Sequence, residues 1–294
     1  MPALPRQSTH RIRVGAIEIG SGAPVSVQTM ANTDTRDAAA SAAQALACFE
    51  AGADIVRFAV PDAAAAAALR EIKRAVGPRA IVADIHFDHR LALAALDSGV
   101  DGLRINPGNI GSAAKVREVA AAAKDRGVPI RIGVNAGSLE KDVLARHGGA
   151  TPEALVESAL GEIALLEDAG FSDVKVSVKA SDVPRMVAAY RLLSARAPSV
   201  PLHLGLTEAG TLLRGTVSSS VALGILLAEG IGDTIRVSLT DAPENEVRVG
   251  LAVLRSLGLR APGPDVTSCP TCGRTQCDLI GTARRVEDAL ERLY

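Results

Sequence analysis

Three observations predict a (β/α)8 fold, the TIM barrel, for this sequence. Eight short apolar runs rich in β-branched residues recur along the chain, and alanine-rich or amphipathic segments separate them. Alternation of such runs with helical segments is typical of parallel β/α units. Eight units within about 240 residues match the count and length of this barrel.

The predicted strands are short and are set off by helix ends. In chain order they cover residues 25–28, 55–58, 81–84, 102–105, 130–134, 174–178, 202–206 and 235–238. Glycines such as Gly52, Gly99 and Gly170 precede several of them, and glycine is the usual residue just past a helix end. A doubly wound open sheet is the alternative. It would carry a glycine-rich fingerprint after the first strand, and none follows Gln28.

Composition narrows the class of protein. The 294 residues are 48% hydrophobic, which is ample for a core, and the net charge is −1. Aromatic residues make up 2%, without tryptophan, so neither a basic field nor a stacking platform indicates a nucleic-acid partner. The sequence shows no secretory apolar region and no long apolar span, and it has four cysteines. We therefore expect a cytoplasmic protein without a membrane partner.

The pattern changes after Leu259. Residues 261–264 (APGP) are rich in chain breakers, a cysteine motif follows, and helical periodicity resumes near Gly281. The segment 265–294 is too short to bury a core of its own. The sequence therefore predicts a barrel domain over residues 1–264 and the beginning of a small second domain over 265–294.

Polar side chains follow almost every predicted strand, at the end of a TIM barrel that holds active sites. Five of them are cationic, and the guanidinium group of arginine can donate two parallel hydrogen bonds to phosphate oxygens. Phosphate or diphosphate is thus the expected ligand, although each arginine could instead belong to a structural ion pair. The loop of residues 104–111 adds asparagines and backbone N–H groups at a helix start, which also favours an anion. The rim residues are Gln28, Arg57, Asp84, His86, Arg104, Asn106, Arg131, Asn135, Lys179, Thr207, Glu208, Arg236 and Ser238.

Three of the rim residues suit proton chemistry. Asp84 and His86 share one strand end, where they could handle protons or orient a substrate. Alternatively, the aspartate caps the next helix and the histidine fills a polar gap. Glu208 is a candidate general acid, or else a carboxylate favoured by the dipole of the following helix.

Three of the four cysteines lie close together near the end of the sequence. Cys269 and Cys272 form a CxxC motif, and Cys277 follows five residues later. This spacing suits a metal centre, a redox disulfide or part of a zinc site. An iron–sulfur cluster needs at least three thiolates, and Cys277 is the third available nearby. Cys48 lies in an alanine-rich helical segment and is expected to be buried.

Together these residues resemble the GcpE family, the 4-hydroxy-3-methylbut-2-enyl diphosphate synthases of the methylerythritol phosphate pathway of isoprenoid biosynthesis. The similarity runs along essentially the whole chain. Its most specific segments are 82–88 (VADIHFD), 103–111 (LRINPGNIG), 130–141 (IRIGVNAGSLEK), 176–183 (VSVKASDV), 202–210 (LHLGLTEAG) and 269–274 (CPTCGR).

The resemblance implies an iron–sulfur oxidoreductase with a TIM barrel followed by a smaller cluster domain. Its reaction is the reductive ring opening of 2-C-methyl-D-erythritol 2,4-cyclodiphosphate, driven by two electrons from reduced ferredoxin or flavodoxin. A [4Fe–4S] cluster with one open iron binds the oxygen of the substrate. In the family, two subunits form a homodimer in which the cluster domain of one closes over the barrel of the other.

The resemblance also assigns roles to individual residues. It implies that Arg57, Arg104, Arg131 and Lys179 hold the diphosphate, helped by Asn106, Asn135, Thr207 and Ser238. Asp84 and His86 would line the same pocket, and Glu208 would be a proton donor. Cys269 and Cys272 would be two of the three cluster thiolates.

The sequence departs from the family pattern near its end. Family members continue to a Gly-Cys-Val-Val-Asn-Gly-Pro-Gly-Glu segment, which brings the third cysteine and a glutamate to the cluster. This segment does not occur before Tyr294. The chain is therefore expected to be a C-terminally shortened member with little cluster incorporation alone, and a substitute role for Cys277 stays open. The alternatives are a catalytically silent barrel that binds a diphosphate metabolite or a partner subunit, and a dihydropteroate-synthase-like transferase.

Overall fold

The computed structural model describes residues 6–261 and 266–291. It begins with an antiparallel hairpin of β1 (Ile12–Val14) and β2 (Ile17–Ile19). Ile12, Val14 and Ile19 form a buried apolar cluster with Ile55 and Ala80, which are the first residues of two barrel strands. The hairpin therefore covers the N-terminal end of the barrel. The sequence analysis did not predict it.

Eight parallel strands form the barrel. They are β3 (Ser26–Met30), β4 (Ile55–Ala59), β5 (Ala80–Asp84), β6 (Gly102–Ile105), β7 (Ile130–Asn135), β8 (Val174–Lys179), β9 (His203–Leu204) and β10 (Thr234–Ile235). Their order in the sheet is β8-β7-β6-β5-β4-β3-β10-β9, and a parallel bridge between Val176 and Leu202 joins the two ends. The predicted TIM barrel is thus confirmed, and the open sheet is excluded.

The last two strands are shorter than predicted. Regular pairing ends at Leu204 and Ile235, although the sequence predicted strands over 202–206 and 235–238. At Gly205 a side chain would lie 2.6 Å from the carbonyl oxygen of Arg236, so two backbones approach each other closely there.

Within residues 6–261 α-helices surround the barrel, and a further α-helix lies in residues 266–291. They are α1 (Ala38–Glu50), α2 (Ala63–Val76), α3 (His89–Asp97), α4 (Pro107–Ile110), α5 (Ala113–Arg126), α6 (Lys141–His147), α7 (Pro152–Asp168), α8 (Val183–Arg196), α9 (Leu212–Ala228), α10 (Pro243–Ser256) and α11 (Leu279–Glu291). Asp37, Asp62 and Asp88 accept backbone N–H bonds at the starts of α1, α2 and α3. These side chains satisfy N–H groups that have no partner inside the helix.

The main core lies between the strands and the helices. In α2 the alanine-rich face buries Ala65 and Ala66 beside Leu69 and Ile72, so small side chains let this helix lie close to the sheet. Cys48 is fully buried in α1, as predicted, and burial raises the pKa of its thiol to about 12. This cysteine is therefore an unreactive core residue.

The segment 266–291 contains the CxxC motif and α11, which begins at Leu279, close to the predicted start. The boundary predicted between residues 264 and 265 lies outside the described residues. Within the described ranges, none of the helices is both long enough and apolar enough to cross a membrane.

Candidate functional site

A cavity of about 200 Å³ opens at the C-terminal ends of the barrel strands. Nine of the eleven barrel residues assigned roles by the family resemblance line it, together with Arg236, which the sequence analysis had placed on the rim. The lining residues are Arg57, Asp84, His86, Arg104, Arg131, Asn135, Lys179, Thr207, Arg236 and Ser238.

Strand alternation brings the charged groups into the barrel. Arg57 and Arg104 are interior residues of β4 and β6, and both are almost fully buried. On β8, Lys175, Ser177 and Lys179 are two residues apart, so they share one face of the strand. Arg57, Arg104 and Lys179 line one cavity, as predicted, and do not point to the outer helices.

Two glycines make room for these long side chains. A side chain at Gly133 would lie 2.8 Å from Nη2 of Arg104, and one at Gly205 would lie 2.7 Å from Nζ of Lys179. Each glycine is therefore needed where a cationic side chain of a neighbouring strand crosses the barrel. The sequence analysis did not assign this role to either glycine.

Asp84 is the counter-ion at one side of the cavity. Its Oδ1 lies 3.1 Å from Nη1 of Arg104, and its Oδ2 lies 3.8 Å from Nε of Arg57 and 3.4 Å from Nε2 of His86. Burial raises the pKa of Asp84, but Arg57, the His86 hydrogen bond and Arg104 together outweigh burial and lower it. Asp84 is thus ionised and orients its neighbours. The residue that caps the next helix is Asp88.

A second ion pair involves Arg236, which directly follows β10. Nη2 of Arg236 is 3.3 Å from Oε1 of Glu246, a buried residue of α10. Glu246 also accepts hydrogen bonds from the hydroxyl of Thr29 at 2.7 Å and from the N–H of Leu239 at 3.0 Å. Arg236 therefore has a structural partner. The sequence analysis missed Glu246, because it lies on a helix and not at a strand end.

The cavity carries more positive than negative charge. Five cations, Arg57, Arg104, Arg131, Lys179 and Arg236, face two carboxylates, Asp84 and Glu246. Arg57 directs Nη2 towards the thioether sulfur of Met30 at 2.8 Å, which is a weak acceptor. Burial lowers the pKa of Arg57 to about 10.

Arg131 is the least satisfied of these groups. Its Nη1 donates to the hydroxyl of Ser177 at 2.7 Å, but Nε and Nη2 are buried without an acceptor among the described residues. Burial, followed by the charges of Arg57 and Arg104, lowers the pKa of Arg131 well below its ordinary value. Burial, Arg131 and Arg236 likewise lower the pKa of Lys179. A bound anion would relieve this crowding of charge.

Two residues assigned to the site lie outside the cavity lining. Asn106 is buried, and its Oδ1 accepts a hydrogen bond from the N–H of Gly133 at 3.2 Å, so its side chain contacts the neighbouring strand. Glu208 is exposed and has a left-handed backbone with φ of 53°. Such a conformation costs roughly 1 kcal/mol for a residue other than glycine.

A carboxylate of the protein itself binds a backbone N–H group of the loop after β6, so this group is not available to a bound anion. The N–H of Gly108 donates to Oε2 of the buried Glu162 on α7 at 2.9 Å. Burial raises the pKa of Glu162 to about 7, and the nearby Glu140 adds to the effect. The expectation that the N–H groups of this loop serve an anion is therefore wrong for Gly108, because Glu162 takes its donor.

The CxxC motif forms an exposed loop. Cys269, Cys272 and Cys277 are free thiols, and Thr271 between the first two has a φ of 68°. The N–H of Cys272 donates to the hydroxyl of Thr275 at 3.1 Å. Hydrogen bonds from the backbone and side chain of Arg274 lower the pKa of the Cys272 thiol, which favours the thiolate that metals bind.

This donor set fits part of a cluster site. Cys269 and Cys272 are suited to two ligand positions of an iron–sulfur cluster, which requires further protein ligands. Across residues 6–261 and 266–291, no group of three or more His, Cys, Asp or Glu side chains is gathered to hold a metal ion. The described residues thus supply a pair of ligands and not a complete set.

Comparison with known proteins gives strong sequence matches. Residues 9–251 match the family described as the GcpE TIM-barrel domain. The 4-hydroxy-3-methylbut-2-en-1-yl diphosphate synthase (flavodoxin) of Geobacter sulfurreducens is 59% identical over 285 residues, covering 97% of this chain and 80% of that protein. The protein of the same name from Maridesulfovibrio salexigens is 56% identical, covering 97% and 79%.

Solved structures of similar shape belong to dihydropteroate synthases. The Yersinia pestis enzyme has a TM-score of 0.61 at 13% identity and covers 85% of this chain and 98% of its own. The Coxiella burnetii enzyme in complex with pteroic acid has a TM-score of 0.57 at 14% identity, with coverages of 86% and 100%. At such low identity, this likeness indicates a shared barrel fold alone.

Proposed function

The chain belongs to the GcpE family, and on that premise we propose that it converts 2-C-methyl-D-erythritol 2,4-cyclodiphosphate to 4-hydroxy-3-methylbut-2-enyl diphosphate. The main support is the cavity, in which five cations face two carboxylates. The cyclic diphosphate carries two negative charges, which match most of this excess. The high identity to relatives named for this product points to the same substrate.

In the proposed complex, Arg57, Arg104, Arg131 and Lys179 bind the diphosphate oxygens. Arg131 is the strongest candidate for direct contact because Nε and Nη2 are buried and have no acceptor among the residues that the structure describes. Asn135, Thr207 and Ser238 line the same cavity and supply uncharged hydrogen bonds. Asn106 acts indirectly, because its Oδ1 holds the N–H of Gly133 beside Arg104.

Asp84 and His86 orient the part of the substrate nearest the rim. Asp84 stays ionised between two arginines, so it accepts hydrogen bonds from hydroxyl groups and does not donate a proton. His86 is half-exposed at the rim. It lies nearer to the proposed substrate position than Glu208 does, so it is the better-placed proton carrier. Glu208 remains a proposed proton donor, and it acts in this role only if its loop turns towards the mouth.

Cys269 and Cys272 would hold an iron–sulfur cluster, proposed as [4Fe–4S] after the family. When bound, the cluster passes the two electrons from a donor protein to the substrate. Flavodoxin is the proposed donor because the relatives are named for it, with ferredoxin as the alternative. Residues 1–264 form the substrate domain in this proposal, and 265–294 form part of the cluster domain.

The course of the chain supports a homodimer. Arg260 pairs with Asp54, which directly precedes β4, so the chain leaves the barrel at the end opposite the cavity. Helix α10 has 14 residues and is about 21 Å long. The eight residue steps from Ala261 to Cys269 span at most about 28 Å. A path back along α10 uses about 21 Å of this maximum span, which leaves only about 7 Å to cross the rim and reach the cavity. We therefore propose that the cysteines of one subunit serve the cavity of another.

A second candidate function is a barrel that binds the diphosphate without reducing it. The identities of 59% and 56% to relatives named as synthases favour the reductive conversion over it. The two functions share the cavity and differ in the cluster. An experiment that measures binding and turnover separately therefore distinguishes them.

The test uses the whole chain after anaerobic reconstitution with iron and sulfide. Calorimetry measures binding of the cyclic diphosphate, and reduced flavodoxin supports a turnover assay. We expect binding in the wild type and in the Cys269→Ser, Cys272→Ser double variant, and we expect any turnover shown by the wild type to be lost in the double variant. Binding without turnover in both would favour the silent barrel. Absence of binding in both would overturn the diphosphate site itself.

A further inference from the structure

A layer of buried polar side chains lies inside the barrel beneath the cavity. Gln28 on β3, Lys175 on β8 and His203 on β9 are each at most 2% exposed. The amide of Gln28, Nζ of Lys175 and both ring nitrogens of His203 have no hydrogen-bond partner among the described residues. Orphaned polar groups of this kind are rare in a protein core. None of these three residues lines the cavity.

Lys175 is surrounded by charged groups from several strands. Arg131, its register partner on β7, is the nearest influence, and Lys179 lies on the same face of β8. His203 faces the same interior from β9, and its pKa is well below the ordinary value because of burial, Arg131 and Lys179. The imidazole is therefore neutral and adds no charge beside Lys175.

Asp233, the carboxylate among the described residues that favours the charged form of Lys175, is distant and already engaged. Asp233 precedes β10, and its Oδ1 accepts hydrogen bonds from Arg6 at 2.7 Å and from Thr9 at 3.2 Å. Its Oδ2 accepts from the N–H of Leu202 at 3.0 Å. Burial and then Arg131 lower the pKa of Lys175 to about 7, and the distant Asp233 offsets only part of this. In the ligand-free barrel the amine is thus largely neutral above neutral pH.

An anion in the cavity would change this balance. Lys175 lies four residues before Lys179 on the same strand, a rise of about 13 Å, so we take its amine to lie about 13 Å from a ligand bound above. At an effective dielectric constant of about 20, two negative charges at that distance raise the pKa of an amine by about two. The direction is fixed by charge alone, because an anion favours the protonated amine.

We propose that Lys175 takes up a proton when the diphosphate enters the cavity, and so contributes to binding without touching the ligand. The inference rests on the proposed function, because it needs an anion at Arg131 and Lys179. At pH 8, a rise of the pKa from about 7 to about 9 corresponds to an uptake of about 0.8 proton by Lys175. Any proton bound by Lys179 adds to this amount.

The experiment measures the binding enthalpy of the cyclic diphosphate in several buffers of different ionisation enthalpy at pH 8. No reductant is present, so no turnover occurs. Each phosphorus of this ligand carries a single acidic oxygen that titrates far below neutral pH, so a proton taken up belongs to the protein. The slope of binding enthalpy against buffer ionisation enthalpy gives the number of protons.

Lys175→Met keeps the length of the side chain and removes the titrating group. We expect it to bind the ligand with an uptake lower by about 0.8 proton than the wild type. Lys124→Met is the matched control, because Lys124 is an exposed lysine of α5 whose amine contacts the carbonyl of Gly170. This control should give the wild-type uptake. Lys175→Gln replaces the methionine variant if that variant does not fold.

The outcomes separate this inference from the proposed function. No binding of the cyclic diphosphate to the wild type would overturn the proposed function and the inference together. Binding without proton uptake, or an uptake that stays the same in the Lys175 variant, would overturn the inference alone. A loss of uptake confined to the Lys175 variant would support it.

Discussion

Replacement of Arg131 by methionine should weaken ligand binding and stabilise the free protein at the same time. Arg131 is 2% exposed, and within the described part of the chain two of its three nitrogens have no acceptor. In the ligand complex these nitrogens gain charge-assisted hydrogen bonds, each worth about 1.5–3 kcal/mol. Loss of two such bonds, with partial compensation by neighbouring cations, weakens binding by about 3 kcal/mol, or more than 100-fold.

The effect on stability has the opposite sign because the free protein holds Arg131 at a cost. Methionine removes the buried unpaired charge, and it also removes the hydrogen bond to Ser177 at 2.7 Å. That hydroxyl keeps a second bond to the carbonyl of Ile132 at 3.3 Å. We expect a net gain of about 1 kcal/mol in the free energy of unfolding, since an unpaired buried polar group costs about 1–3 kcal/mol.

Calorimetry gives the affinity, and thermal unfolding without ligand gives the stability. Arg126→Met is the matched control, because Arg126 is an exposed residue of α5 paired with Asp97 at 2.6 Å. It should change either quantity by less than about 0.5 kcal/mol. If Arg131→Met destabilised the protein and left affinity unchanged, Arg131 would be a structural residue and the reasoning would be refuted.

Two further predictions concern groups around the mouth. Glu162→Gln should flatten the pH dependence of stability, because a pKa raised to about 7 makes the wild type lose stability as pH rises from about 4.5 to 7. Denaturant unfolding at pH 5 and pH 8 measures this. An equal change in the free energy of unfolding between these pH values in both proteins would contradict the prediction. Gly133→Ala should displace Arg104, destabilise the fold by about 1–3 kcal/mol and weaken anion binding. Gly161→Ala on α7 is its control, because that position has open space, and equal effects at both glycines would contradict the prediction.

The sequence predicted the barrel and most of the cavity because both follow from strand periodicity. All parallel strands end at one side, so polar residues at strand ends such as Arg57 and Asp84 must meet there. The neighbours of these residues were not predictable in the same way. Glu246 comes from a helix, and the need for Gly133 depends on the path of the Arg104 side chain. Loop conformation decides the position of Glu208, and strand patterns carry no information about it.

The short hairpin of β1 and β2 was missed because its three-residue strands give too little periodicity to detect. The hairpin limits the routes by which molecules can reach the cavity. With Ile12, Val14 and Ile19 packed over the opposite end, the described part of the barrel is open only at its C-terminal mouth. Substrate, product and released water then pass through this mouth in turn. The product must therefore leave by the opening through which the next substrate enters.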